Sequence, residues 1–236
     1  MPVPRARRRE LIPLDGGVFP DATPPATVIV VAGGEAPVVA ALAGLPSDAF
    51  VVAADSGIDS AHALGLKVDL AVGDFDSASP EAADRVLAAG GRVERYPVAK
   101  DATDLEIALD AALARRPDRI VVLGGAGGRF DHWLAVALLL ASPLYAGVAL
   151  QARWAGATVT VIRSAATLTG EPGDIVTLLP VHGAAGGIVT EGLEYPLRGE
   201  DLLPGTTRGV SNVLLGSVAT VVLTNGVLLA VQPLST

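Results

Sequence analysis

The first half of the chain repeats one rhythm, a short β-branched run followed by an Ala/Leu-rich run of helical length. Thr27–Ala32, Phe50–Ala54, Asp69–Val72, Arg92–Tyr96 and Arg119–Leu123 read as strands. Pro37–Ala43, Ile58–Leu64, Glu81–Ala89, Asp104–Arg115 and Phe130–Ser142 read as the helices that follow them. Strands that alternate with helices build a mainly parallel sheet covered on both faces. Ser79-Pro80 predicts a helix start, a side-chain cap followed by a residue preset for the first turn. Beyond roughly residue 150 the rhythm stops. Ala157–Arg163, Asp174–Pro180, Gly187–Glu191 and Ser217–Val231 are strand-like, with Gly and Pro between them. Thr224-Asn225-Gly226-Val227, set between two apolar runs, predicts a hairpin, because both turn residues tolerate positive φ. The expected fold class is α/β: an N-terminal mainly parallel sheet with helices on both faces, then a C-terminal all-β sandwich. The expected divisions are a loose leader over 1–26, an α/β domain over 27–153 and a β domain over 154–236.

Composition narrows the function. Half of the 236 residues are hydrophobic but only 4% are aromatic, so the core must rest on Val, Leu, Ile and Ala. A net charge of −8 argues against a nucleic-acid partner, which needs a basic face. It leaves nucleotide binding open, because a metal ion reconciles carboxylates with phosphate. The absence of cysteine excludes disulfides and thiolate chemistry and suits a reducing, cytoplasmic setting. Met1 to Glu10 is basic, but no apolar signal core follows it. Apolar runs such as Trp133–Leu140 are too short to span a bilayer, so no membrane partner is expected.

In open α/β sheets functional groups gather where strands end, and the polar motifs of the first half fall there. Asp55, with Ser56 and Gly57, follows the second strand; Asp74 and Asp76, in Gly-Asp-Phe-Asp-Ser, follow the third. In an extended segment residues two apart share a side, so Asp74 and Asp76 can offer oxygens to one cation. Close carboxylates repel unless a cation separates them or one is protonated, and magnesium binds one or two carboxylates together with substrate phosphates. Each aspartate also has a plain reading as a turn cap. Lys100-Asp101-Ala-Thr103-Asp104-Leu-Glu106 opens the next helix. Thr103 and Glu106 fit a capping box, and Asp104 suits the helix dipole. The alternative is that Asp104 completes a metal site while Lys100 neutralises phosphate. Gly124-Gly125-Ala-Gly127-Gly128-Arg129-Phe-Asp131-His132 offers backbone N–H groups and a guanidinium to phosphate. It has neither Walker nor dinucleotide spacing, and a tight turn also explains its glycines. Asp131 also fits a helix N-terminal charge, and His132 a partly buried polar residue.

Taken in order, Ala54-Asp55-Ser56-Gly57, Gly73-Asp74-Phe75-Asp76-Ser77, Lys100 to Glu106 and Gly124 to His132 resemble thiamine pyrophosphokinase. Gly173 to Pro180, Gly192 to Leu197 and Gly209-Val-Ser211-Asn212 resemble that family's C-terminal part. The resemblance implies a homodimer with its active site at the interface, ATP as co-substrate, Mg2+ as cofactor, and conversion of thiamine to thiamine diphosphate with release of AMP. It implies Asp74, Asp76 and Asp104 as metal residues, with Lys100 and Arg129 beside them in catalysis. It further implies Asp55, Ser56, Gly57, Asp101, Thr103, Gly127, Gly128, Arg129, Asp131 and His132 on the ATP side, and Ser211 and Asn212 at thiamine. Three stretches depart from the usual pattern: Asp59 stands where Asn is common, Val213 where Glu is common, and Thr206–Gly209 where some members carry Trp. A pyrophosphokinase for another alcohol, such as a hydroxymethyl pterin, and a non-catalytic thiamine or nucleotide sensor are the rival readings.

Overall fold

A computed structural model describes residues 24–125, 130–154 and 156–233. Most of the expected leader, residues 1–23, lies outside them. The first half contains strands β1 (Thr27–Val31), β2 (Phe50–Ala54), β3 (Leu70–Gly73), β4 (Arg92–Arg95), β5 (Arg119–Leu123) and β6 (Ala149–Arg153). Helices α1 (Gly57–Ala63), α2 (Ala82–Ala88), α3 (Asp104–Ala114) and α4 (Phe130–Leu140) alternate with them, and the expected helix at Pro37–Ala43 is a single 3-10 turn, Val39–Leu42. Six parallel strands run in the order β6-β5-β1-β2-β3-β4. Every residue of β1 is buried, as expected of a strand covered on both faces. One face packs on α3 and α4 through Val30, Val52, Leu109 and Leu140. The other packs on α1 and α2 through Ile29, Val51, Ile58 and Val86.

The second half supplies β7 (Ala157–Ile162), β8 (Ala165–Thr169), β9 (Ile175–Pro180), β10 (Ala185–Glu191), β11 (Arg198–Leu202), β12 (Asn212–Val213), β13 (Val218–Val222) and β14 (Leu228–Pro233). β6, which the periodicity did not reveal, joins the halves. It runs parallel to β5 and antiparallel to β7, so one ten-stranded sheet, β12-β9-β14-β7-β6-β5-β1-β2-β3-β4, passes through both. A four-stranded sheet, β11-β10-β13-β8, covers its β7–β12 end. Ile162, Leu168, Leu178, Ile188 and Leu228 fill the space between the two sheets. The α/β part followed by a β-sandwich agrees with the expected fold class. Among the described residues, no helix is long and apolar enough to cross a membrane.

Two local expectations are corrected. Asn225-Gly226 does not close a hairpin: β13 pairs with β10 and β8, whereas β14 pairs with β7 and β9 in the other sheet. The turn instead docks on the start of β10, with the Gly186 N–H donating to Asn225 O at 3.0 Å and Thr224 Oγ1 donating to Gly186 O at 3.0 Å. Gly226 has φ +86°, and a Cβ there would stand 2.7 Å from Ala185 Cα. The glycine therefore serves a crossing between sheets, where a long-range backbone contact outweighs the local hairpin preference. The Ser79 side chain does not cap α2; the preceding residue is Glu81, which makes no side-chain cap. Ser79 is engaged by α1 instead, as described below.

Candidate active site

The carboxyl ends of β2 and β3 and the start of α3 meet at one edge of the sheet. Asp55 follows β2 in the left-handed region, φ +48°, and its N–H donates to Val72 O at 2.9 Å. Gly73 ends β3 with φ +143°; a Cβ there would lie 3.1 Å from Asp104 Oδ1 and 3.2 Å from Asp55 Cα. A side chain there would be crowded by both neighbours and strained by the positive φ. Asp74, Asp76 and Asp55 each bring one carboxylate oxygen within 4.8 Å of the others. The ends of two strands thus deliver their acids to one place.

Asp104 is not one of that close trio. It stands beside it through Lys100, whose Nζ donates to Asp74 Oδ2 at 2.7 Å and pairs with Asp104 Oδ1 at 3.1 Å. The second contact is an ion pair without hydrogen-bond alignment. The Lys100 hydrogen bond and the Asp76 N–H hold the Asp74 carboxyl below its ordinary range. Burial pushes Asp104 up, with Asp74 and Asp55 adding to that, against the pull of Lys100. Burial alone lowers the pKa of Lys100, but its two carboxylate partners outweigh this and raise it.

Asp74 makes this contact pH-dependent. Its folded pKa lies below the ordinary 3.8, so the Lys100 contact stabilises fully above that value and is lost as pH falls through the depressed one. The stability gap between the parent chain and a Lys100→Met variant should therefore narrow below pH 3.8. Urea unfolding at stepped pH checks this, and a constant gap would deny the pair its role.

Asp55 Oδ1 is buried without a hydrogen-bond donor, and Asp104 Oδ1 has only its ion pair with Lys100. An ionised oxygen left in that state is costly. The donor set is all carboxylate oxygen, which suits a hard divalent cation such as magnesium. The residues present therefore fit the metal that the sequence resemblance implies.

The remaining candidates differ in placement. Ser56 precedes α1 without capping it, and Gly57 is buried against β1. Thr103 caps α3, its Oγ1 accepting the Glu106 N–H at 3.2 Å, as the capping-box spacing expects. Asp101, at the edge, is exposed, as are Asp131 and His132 in the first turn of α4. Gly127, Gly128 and Arg129 lie outside the described residues. The flank before them is described: the Gly125 N–H donates to Gly33 O at 3.0 Å, tying the end of β5 to the end of β1. Ser211, exposed at φ +58°, and Asn212 stand apart on the sandwich. Asn212 Nδ2 donates to Tyr195 O at 2.8 Å, and its Oδ1 accepts the N–H groups of Tyr195 and Val213 at 3.0 and 2.9 Å. Its side chain therefore holds the loop around Tyr195, a structural role that the sequence did not signal. Trp154 is buried against Trp133, ring centroids 5.6 Å apart.

The resemblance implies Asp55 on the ATP side; in the structure its carboxylate also joins those of Asp74 and Asp76. Phe75, the apolar residue between Asp74 and Asp76, also gains a role. It sits at φ +62°, unfavourable for a bulky side chain. Its ring packs into the α1–α2 core with the Arg95 guanidinium 5.0 Å from its centroid. The aspartates on either side of this left-handed residue each bring an oxygen into the close trio.

The chain is similar to known proteins over most of its length. Residues 44–151 match the family described as "Thiamin pyrophosphokinase, catalytic domain". Residues 162–228 match "Thiamin pyrophosphokinase, vitamin B1 binding domain". A protein of Bacillus subtilis (strain 168) named thiamine pyrophosphokinase is 26% identical over 217 residues, covering 87% of this chain and 98% of that relative. A crystal structure of the Bacillus subtilis enzyme superposes with a TM-score of 0.78 at 26% identity, over 89% of this chain and 100% of that one. The Geobacillus thermodenitrificans thiamin pyrophosphokinase structure gives a TM-score of 0.75 at 26% identity, over 89% and 98%. Yeast thiamin pyrophosphokinase, at 15% identity over 90% and 88%, shares the fold with a TM-score of 0.67. With both halves matched in order and the fold shared along nearly the whole chain, the protein belongs to the thiamin pyrophosphokinase family.

Proposed function

We propose that the chain is a thiamine diphosphokinase: it transfers a diphosphoryl group from ATP to the hydroxyl of thiamine, giving thiamine diphosphate and AMP. The observation that carries this is the meeting of Asp55, Asp74 and Asp76 within 4.8 Å, with Lys100 beside them. In the transfer the thiamine oxygen bonds to the β-phosphorus, the bond between that phosphorus and the oxygen bridging to the α-phosphate breaks, and the hydroxyl proton is released. Such chemistry depends on positioning and electrostatics more than on covalent help from the protein.

Asp74 and Asp76 would hold magnesium, with Asp55 beside them and Asp104 completing the set from α3. Magnesium when bound supplies charge neutralisation at polyphosphate oxygens. Lys100 places an ammonium at the same edge, where it can neutralise phosphate oxygens. Arg129 and the N–H groups of Gly127 and Gly128 take further phosphate charge. Ser56, Gly57, Asp101, Thr103, Asp131 and His132 line the ATP side. Residues 27–153 form the catalytic part and 154–236 the thiamine-binding part. Ser211 and Asn212 bring thiamine to the phosphate edge of a second copy. Phe130, Leu134 and Leu138, exposed at 72%, 44% and 41% and spaced along one face of α4, support such a copy as their cover.

The test is AMP formation from ATP across a panel of alcohols, with magnesium and with EDTA. Thiamine alone should yield AMP, and EDTA should abolish it. AMP only with a hydroxymethyl pterin would reassign the acceptor, and thiamine binding without AMP would identify a sensor.

A further inference from the structure

The segment that carries Asp74 and Asp76 runs free of regular structure from the end of β3 to the start of α2, residues 74–81. A metal site needs its ligands held, and here the holding group belongs to neither element. Asp59, in the first turn of α1, spends both carboxylate oxygens on Ser79. Its Oδ2 accepts the Ser79 N–H at 2.8 Å and its Oδ1 accepts the Ser79 hydroxyl at 2.7 Å. Arg85 of α2 closes the triangle, its Nη2 donating to Asp59 Oδ1 at 2.6 Å and to Ser79 Oγ at 2.9 Å. Burial raises the Asp59 pKa, but Ser79 and Arg85 outweigh it and hold the group ionised.

The same loop is tied at a second point, where the Ser77 hydroxyl donates to Asp55 Oδ2. Asp76 is also tied back, its N–H donating to Asp74 Oδ1 at 3.2 Å. Between the end of β3 and the Asp59 contact the chain therefore has little freedom, although Asp76, Ser77 and Pro80 are exposed. Releasing Ser79 frees one end of the span that presents both acids.

We propose that Asp59 is a positioning residue for the metal-binding loop, acting through Ser79 with Arg85 as its counter-charge, rather than a ligand of phosphate or metal. The inference rests on the metal reading of Asp55, Asp74 and Asp76. Partners of this kind, one step removed from a metal ligand, change metal affinity by about 10- to 100-fold when removed.

The experiment is a Mn2+ titration of the full chain, without nucleotide, followed by the EPR signal of the free ion. Asp59→Ala should weaken Mn2+ binding by about 10- to 100-fold. It should raise the metal concentration needed for half-maximal AMP formation while leaving kcat at saturating metal near the parent value. Asp59→Asn retains an acceptor for the Ser79 N–H and should recover most of the affinity. Because Asp59 acts through Ser79, the losses in Asp59→Ala and Ser79→Ala should not add in the double variant.

Arg85→Gln, which spares both members of the Asp59–Ser79 contact, should give a smaller loss and serves if Asp59→Ala does not fold. Additive losses would overturn the proposal. So would a lower melting temperature with unchanged Mn2+ affinity, or a fall in kcat with unchanged affinity. A parent chain that binds no Mn2+ would instead remove the metal reading itself, and the clamp with it.

Discussion

An Asp74→Asn variant should form AMP about 100- to 1,000-fold more slowly than the parent chain, the loss typical of removing one strong electrostatic contact to a transition state. The substitution preserves shape and leaves an oxygen able to accept the Asp76 N–H, so the loop keeps that tie. What it removes is charge, at the centre of the group. Asp74 is both a member of the close trio and the hydrogen-bonded partner of Lys100. The variant therefore loses attraction for a divalent ion and frees Lys100 to pair with Asp104 alone. Initial rates of AMP release with saturating ATP and thiamine measure the effect, and EDTA-treated parent enzyme marks the floor. Turnover equal to the parent's would remove Asp74 from the metal site.

The second large effect is on folding. Replacing Gly57 with alanine should destabilise the chain by about 1–3 kcal/mol, the range for forcing atoms into a packed core. At about 2–4 °C per kcal/mol for a chain of this length, the melting temperature should fall by several degrees, reaching about 12 °C at the upper end. The cause is space, not backbone angle. A Cβ on Gly57 would lie 2.8 Å from the Val31 carbonyl carbon, closer still to its oxygen, and 3.1 Å from the Ala32 carbonyl carbon. Val31 belongs to the fully buried β1, which is paired on both sides, so the backbone has little room to yield. Gly147→Ala is the control, since nothing lies within 4 Å of a Cβ there and its φ is ordinary. Circular-dichroism melts compare the two. If Gly57→Ala melts with the parent, the close approach of α1 to β1 is not what requires the glycine.

Both predictions begin from residues visible in the sequence, but not equally so. The strand-and-helix rhythm of the first half was legible because it depends on local periodicity, and β2 and β5 occupy the expected spans, Phe50–Ala54 and Arg119–Leu123. The convergence of Asp55, Asp74 and Asp104 was legible as strand-end and helix-start positions. Which oxygens stand closest was not, because that depends on the approach that Gly73 permits and on the turn at Phe75. Ser79 shows the limit most plainly. Its local pattern is that of a cap, yet its hydroxyl donates to Asp59, twenty residues earlier, and accepts from Arg85, because charged partners offer stronger hydrogen bonds than a helix N–H. Asn212, which the resemblance implies at thiamine, also holds the backbone at Tyr195, seventeen residues earlier, a contact that no local pattern announces.

The order of apolar runs, the absence of cysteine and the placement of acids after strands were determined by the amino-acid sequence alone, because each is a matter of neighbouring residues. Only the tertiary structure decided that β6 carries one sheet through both halves, that Asn225-Gly226 crosses between sheets, and that Asp59 grips the loop of Asp74 and Asp76. In each case the deciding partner is distant along the chain, and no local preference encodes a contact whose free energy appears only when the chain is folded.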